Sequence, residues 1–499
     1  MRSAFMAVPV LAALAVACGD ARPGPVGGSA SLVLTPESAQ VLAGSGPVTL
    51  RAMVVGAPGP ISWALSGPGT LGQTAGAENT YLPPASVAVD TPVVVTASAG
   101  PGLSTSVQIT VSPGPALEVH GRVVGATGVP LSGLTVTIAG QSVVSDDDGR
   151  FTLPSVVPPY DVDLVLSGQT VYSARFEGLR RPDPTLVFLW LFSTGEPNTA
   201  TISGTLSGGD PPGTPGEFSI AFFTTRDVRF DLASIGIPAG NDPWTLPVSW
   251  FGPGSITATV HVLQFRTGGP GQPPAEYIGY GVHEGIPLSR DAAVEDAGVA
   301  LTRPGTSFVE GTILAPSGYA ISSTSLGLEF DGLTSVPLGH LEGGASDFHL
   351  AVPSGIPVTA AVTATATSPG AGNTTRRLSG LDAGTSGVSI GLPVPPRPLS
   401  PEAGATGIPA GSDVTWTPFG YGVHLSVFQT LPSGPQAYVV TTATHAAVPP
   451  LPSGAQVSWL VAGFGPFEGM DDFTSGPRLF PALGSTVQGV SEVRIFRMQ

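Results

Sequence analysis

Short runs in which apolar and polar side chains alternate, each closed by a cluster of Gly and Pro, recur from residue 31 to the end of the chain. Residues 48–55 (VTLRAMVV), 105–111 (TSVQITV), 256–262 (ITATVHV) and 358–364 (VTAAVTA) show the pattern. A period of two puts every second side chain on one face, which is the signature of half-buried strands. The chain has 499 residues with 68 Gly and 53 Pro, and these fall between the runs, as at Gly67-Pro68-Gly69 and Gly100-Pro101-Gly102. Turns are placed in this way between strands. Apolar residues make up 41% of the chain, more than a disordered polymer carries. The expected fold class is therefore all-β, a series of tandem β-sandwich domains. A single Cys excludes any intrachain disulfide, so packing alone must hold them.

That one Cys stands at a meaningful place. Met1-Arg2-Ser3 gives a short positive start, residues 4–17 (AFMAVPVLAALAVA) are apolar, and Ala15-Val16-Ala17-Cys18-Gly19 follows. The stretch is short for a membrane span and fits the core of a signal peptide. It resembles the lipobox of bacterial lipoproteins, with Ala15 where Leu is usual. The resemblance implies cleavage between Ala17 and Cys18, and lipid on Cys18. The same residues satisfy the A-x-A rule of ordinary signal peptidase, which cuts at the same bond and leaves Cys18 free of lipid. The position of the sole Cys at the cleavage point favours the lipoprotein. Residues 1–17 are thus read as the signal peptide and 18–30 as a flexible tether.

Five modules are expected beyond the tether. Residues 31–113 carry Thr35-Pro36, Ala43-Gly44, Trp63, Gly67-x-Gly69-Thr70, Tyr81-x-Pro83 and a closing V-x-I-x-V strand. This layout resembles bacterial immunoglobulin-like repeats. Residues 116–193 carry Gly121, Pro130, Gly133, Val136, Asp146, Gly149 and Phe151 in the spacing of the carboxypeptidase regulatory-like, transthyretin-type sandwich. That family is a structural accessory with no catalytic residues to carry over. Residues 199–303 and 305–393 echo the second module. Gly204 and Gly311 answer Gly121, Trp244 and Phe348 answer Phe151, and Gly285 and Gly380 answer Gly178. After a proline-rich linker at 394–398 (VPPRP), residues 399–499 resemble a fibronectin type III-like sandwich, with Trp416 and Trp459 in its core. Stiff linkers between modules imply an end-to-end arrangement.

Charge narrows the function. The formal net charge is −16 and all 19 basic residues are Arg, in no cluster larger than the pairs Arg180-Arg181 and Arg376-Arg377. Phosphate binding needs such clusters, so nucleic acid is not an expected partner. Gly67-x-Gly69-x-x-Gly72 matches a dinucleotide-binding motif but lacks the strand-to-helix context that gives it meaning. Asp146-Asp147-Asp148-Gly149 is read as a hairpin turn in preference to a calcium loop, because the spaced ligands of such loops are missing. Asp471-Asp472 is read alike. The seven His are isolated; His261 and His349 lie in alternating strands as face residues. No metal, cofactor or catalytic motif is expected.

Exposed aromatics on a sandwich would form a sugar-binding platform. Trp244 and Trp250, flanking Pro247, are the candidate surface pair among the Trp residues, with core packing as the default reading because burial is the commonest use of a large aromatic. The sequence reads as a non-catalytic, lipid-anchored cell-envelope protein, structural or adhesive. Its partners are the membrane, through lipid on Cys18, and a surface protein or glycan. It is expected at the outer membrane, periplasmic or surface-exposed. The alternative is a carbohydrate- or peptide-binding lipoprotein serving a secreted enzyme or an uptake system.

Overall fold

A computed structural model describes residues 31–55, 60–100, 102–126, 128–168, 170–191, 196–210, 216–228, 234–237, 244–476 and 484–499. The stretches expected to be signal peptide (1–17) and tether (18–30), Ala17 and Cys18 among them, lie outside the described residues. The chain divides after residue 114 into two compact units. Nearly all regular structure is β, and among the described residues no helix is long and apolar enough to cross a membrane.

The first unit is a sandwich of two four-stranded sheets. One is ordered Ser31–Thr35, Val48–Val55, Glu78–Leu82, Thr70–Leu71; the other Ser38–Leu42, Ser104–Ser112, Thr91–Ser98, Ser62–Ser66. The alternation works as the sequence implies. Val93, Val95 and Ala97 pack against Val107, Ile109 and Val111 inside, while Thr96 and Ser106 pair outside at 2.8 Å. Each buried Val stabilises the sandwich by roughly 1.5–3 kcal/mol relative to an exposed one. Trp63 fills the centre and its indole N–H donates to the Gly76 carbonyl at 2.8 Å, so its polar atom is not stranded.

In the second unit, three stretches build the same small sheet. A central strand takes one antiparallel and one parallel neighbour each time. Leu117–Gly125 lies between Arg150–Val156 and Thr185–Phe188. Asn198–Gly204 lies between Trp244–Trp250 and Ala292–Val294. Gly305–Leu314 lies between Asp347–Ser354 and Val388–Gly391. The recurring Gly and aromatic are register partners: Gly121 opposite Phe151, Gly204 opposite Trp244, Gly311 opposite Phe348. A Cβ at any of the three glycines would run into that ring. The second recurring glycine has an equally specific use. Gly178, Gly285 and Gly380 have φ of 77°, 73° and 71°. Each sits where its hairpin slips register, opposite Tyr160/Val162, Ala258/Val260 and Ala360/Val362 respectively. These are β-bulges that need a left-handed residue.

The expected string of modules touching only through linkers is corrected in this unit. A thirteen-stranded sheet runs through it. Gln141–Val144, Thr135–Ile138, Tyr160–Leu166 and Tyr172–Leu179 pair in that order. Tyr172–Leu179 then pairs in parallel with Gln436–Thr441, from Tyr172 opposite Gln436 to Phe176 opposite Val440. Val423–Leu431, Gln456–Gly465 and Thr486–Val490 continue it. Thr486–Val490 pairs with Gly372–Leu381, from Asn373 opposite Val490 to Arg377 opposite Thr486. The C-terminal sheet is thus spliced between two others. The cores are joined as well. One apolar cluster holds Val136, Phe176 and Phe188 together with Leu425, Tyr438 and Phe464. Another holds Phe222 and Tyr277 with Val309, Phe330 and Phe348. The proline linker is not a solvated spacer: Pro395, Pro396 and Pro398 are buried. Alternation reports that a face is covered, not which strand covers the edge, and the linker prolines are apolar enough to be buried.

Replacing Gly121 by Ala forces a methyl into the Phe151 ring and is expected to cost about 1–3 kcal/mol, as overpacking does. Gly254→Ala, where a Cβ meets open space, is expected to leave stability nearly unchanged. Urea unfolding of the two variants measures the difference, and equal midpoints would contradict the packing role of the glycine.

Candidate functional site

The structure places Trp244 and Trp250 in the core, 1% and 0% exposed. Their strand alternates Trp244, Leu246, Val248 and Trp250 inward with Thr245, Pro247 and Ser249 outward. It is the edge of its sheet, where a missing proline N–H costs no ladder bond. Neither indole face can take a sugar. Trp63, Trp416 and Trp459 are also buried. Gly67–Gly69 is the turn between the strands Ser62–Ser66 and Thr70–Leu71, and Gly72 follows the second of them, so the stretch is not the entrance to a helix. Asp146 caps its own hairpin, its Oδ1 accepting from the Asp148 N–H at 3.0 Å and the Arg150 N–H at 2.7 Å. Asp471-Asp472 differs from the expected turn and lies in the short helix Met470–Phe473. Among the described residues no group of three or more His, Cys, Asp or Glu is placed to hold a metal ion.

Two histidines are buried. His261 Nε2 lies 3.0 Å from Thr224 Oγ1 and 3.5 Å from Asp331 Oδ2, and its Nδ1 lies 3.1 Å from Tyr280 Oη. The ring stacks on Phe222 with centroids 5.0 Å apart. The grouping has the residue types of an acid–base site, but its environment opposes that chemistry. Burial pushes the imidazole down to about 4, against a smaller opposing pull from Asp331. Burial pushes the Tyr280 phenol up to about 12, helped by Asp331 and Glu284. A base and an acid so far from neutral transfer protons poorly near pH 7. His261 instead joins stretches of the second unit by packing, its ring against Phe222 and Phe330 and its Nδ1 at the Tyr280 hydroxyl. His349, in contrast, sits on the outer face, stacked on Phe308 and 2.6 Å from Glu310.

His424 is the second. Its Nε2 accepts from the Phe419 N–H at 3.1 Å, which requires an unprotonated nitrogen, and burial lowers its pKa to about 4. That bond fixes the loop leading to an open groove of about 670 Å³, lined by Gly420, Tyr421, Gly422, Pro466, Phe467, Glu468 and Asp472. Glycines let the two walls close up. Gly463 and Gly489 are register partners, and the Phe419 ring lies across both, where side chains would exclude it. A Cβ on Gly465 would strike the Tyr421 carbonyl, and one on Gly422 would strike the Phe467 carbonyl. The walls are joined by the Phe467 N–H donating to the Tyr421 carbonyl at 3.0 Å. Tyr421 packs beside Phe419 and Phe467 stands edge-on to Phe473, so both rings are braced from behind while remaining half-exposed.

The floor of the groove is tied to the rest of the unit. In the helix Met470–Phe473, Met470 and Phe473 enter the joint core. Asp471 Oδ1 accepts from the Arg180 and Arg181 N–H groups at 2.8 and 3.1 Å. Asp472 Oδ2 accepts from the Glu468 N–H at 3.2 Å. The sequence reading missed Tyr421, Phe467 and Glu468. The available signal was an aromatic set between Gly or Pro residues in each loop, Gly420-Tyr421-Gly422 and Pro466-Phe467-Glu468-Gly469, where no strand face can bury it.

Because the fold keeps both imidazoles neutral, their contribution to stability is complete above pH 6.5 and is lost as pH falls from 6.5 toward 4. Protonation of the unfolded chain then outruns that of the folded one. Each contributes up to about 3 kcal/mol. Denaturation at pH 7 and pH 4.5 is expected to show a marked loss, smaller in His261→Gln. A His261→Gln variant with the same pH slope as the wild type would contradict this account.

No family model matches the sequence, and no curated protein matches it. Among solved structures, the chain is similar to the TIE protein of Bacillus anthracis, with 8% identity, 73% of this chain and 74% of that one covered, and a TM-score of 0.21. It is similar to the pilus adhesin SpaC of Lactobacillus rhamnosus GG, with 10% identity, 78% and 55% covered, and a TM-score of 0.16. The shaft pilin SpaA of the same organism gives 8% identity, 40% and 96% covered, and a TM-score of 0.12. Likenesses this loose carry no argument about activity or partners.

Proposed function

We propose that the chain is a non-catalytic cell-envelope protein, lipid-anchored through Cys18, that presents β-sandwich modules in a structural or adhesive role. The observation that supports this reading is the spliced thirteen-stranded sheet. Modules in series yield one at a time under load, because each has its own core. Modules that share ladders and cores must break a neighbour's hydrogen bonds before any one can open. Tyr438 illustrates the coupling. It comes from the C-terminal sheet, yet its hydroxyl donates to the Val187 carbonyl at 2.6 Å and its ring meets Phe176. A rigid body of this kind suits a protein whose task is to hold a surface in place outside the membrane.

The second reading, a carbohydrate- or peptide-binding lipoprotein, is favoured by one observation, the aromatic and acidic groove between residues 420–422 and 466–472. The two readings are compatible when the groove is the adhesive element.

Metabolic labelling with a clickable fatty acid tests the anchor. The wild type is expected to carry label and to sediment with membranes, and Cys18→Ser to lose both. Unlabelled wild type would remove the anchor. Deleting the chain is expected to weaken surface attachment or envelope integrity; a deletion without either effect would contradict the structural or adhesive role.

A further inference from the structure

We propose that the loop of residues 268–273 is a guard on the free edge of the thirteen-stranded sheet, and that without it two copies of this chain join there. The inference goes beyond the structural or adhesive reading and does not depend on the lipid anchor.

The sheet ends on Gln141–Val144 at one side and on Thr334–Glu342 at the other. The first is four residues long, too short to offer much of a ladder. The second has nine residues and pairs with Ala320–Phe330 along one side. Its other side would leave a row of N–H and C=O groups open to a further strand. The chain accepts such pairings, since both of its seams are edges of separate sheets joined by main-chain bonds.

The loop occupies that open side. It connects Ser255–Thr267 to Pro274–Ser289, which belong to a different sheet. The His340 N–H donates to the Gly271 carbonyl at 2.9 Å. At Gly339 the two main chains are so close that a Cβ would lie 2.5 Å from the Gln272 carbonyl and 2.7 Å from the Pro273 nitrogen. The loop is longer than hairpin turns commonly are, and it is held in shape. The Gln272 N–H and the Thr267 hydroxyl both donate to the Gly269 carbonyl, at 3.2 and 2.9 Å. Pro270 and Pro273 have no N–H, so the loop ends the ladder and does not become a new edge.

Other features act in the same direction. Within the edge strand, Pro337 has no N–H to offer, and the register slips beside it, where Leu326 faces Gly339 and Gly327 faces Pro337. Prolines and bulges both blunt an edge. The three repeated small sheets show the same treatment, because the outer antiparallel strand of each carries a proline, Pro154, Pro247 and Pro353. The partner that fits an uncovered edge is a second copy. An edge strand is complementary to itself when turned about a two-fold axis, and two-fold pairing is the commonest closed association of identical chains.

Sedimentation of the purified full chain tests the proposal. One variant replaces residues 268–273 by an Asn-Gly turn, which still joins the two strands. A second replaces them by about twelve Gly and Ser residues, a flexible loop with nothing to hold it on the edge. Each variant is expected to sediment at about twice the wild-type mass or more. Adding His340→Pro, which removes the N–H that the loop covers, is expected to return both to the wild-type mass. Circular dichroism identifies any variant that has lost its fold. A folded variant with the wild-type mass would overturn the proposal, even if its unfolding midpoint falls, because the loop is then a stabilising contact only. An association that survives His340→Pro forms elsewhere and would overturn it too. So would a wild-type dimer that His340→Pro abolishes, or loss of the fold in both loop variants, which would make the loop part of the core. None of these outcomes bears on the fatty-acid label, so failure here leaves the anchored structural role standing.

Discussion

Two hydrogen-bonded seams govern the second unit. At one, Tyr172–Leu179 and Gln436–Thr441 lie parallel; at the other, Gly372–Leu381 and Thr486–Val490 lie antiparallel. A strand edge that ends in solvent is an open template for other chains, and proteins cover such edges by one device or another. Here each sheet covers the edge of its neighbour. The C-terminal sheet is consequently a splice, held on both sides by main-chain bonds, with one face in a core shared with residues 117–191 and the other in a core of its own. Thr185, whose N–H donates to the Thr474 carbonyl at 2.7 Å, and Arg180 and Arg181, held by Asp471, extend the first seam to the groove. What the groove presents to solvent is fixed by the same contacts that fix the fold.

Glycine makes this density possible. Gly121, Gly204 and Gly311 let an aromatic ring approach the backbone of a central strand, at Gly204 and Gly311 together with the main-chain carbonyls of Ala297 and Val388 respectively, and Gly463 with Gly489 admits Phe419. These are positions where absence of a side chain creates room, distinct from the bulge glycines, where the backbone itself demands one. With no disulfide available, close ring-on-backbone packing supplies rigidity that small exported domains often obtain from cross-links.

Much of this was legible in the sequence. The all-β class, the first sandwich, and the threefold echo of Gly121, Phe151 and Gly178 all follow from local pattern, and the echo turned out to mark cross-strand partners and bulges. For Trp244 and Trp250 the default of core packing is the one the structure shows. WTLPVSW alternates cleanly and gives burial, and Pro247 within it marks an edge strand. The seams were not legible, because the pairing of Phe176 with Val440 depends on residues far apart in the chain and alternation is silent about partners. The groove was hidden for a similar reason. Its aromatics lie in loops, and only the folded chain brings Tyr421 beside Phe467 and the helix at Met470–Phe473.

Hydrogen exchange of the intact chain, read residue by residue at the seams, tests this account most directly. The amides of 172–176 with 436–440, and of 373–377 with 486–490, should be protected as strongly as those in Val423–Leu431 and Gln456–Gly465 and open with them. Seam amides that exchange at the rate of a free sheet edge, while the strands on either side stay protected, would show separate modules and contradict it.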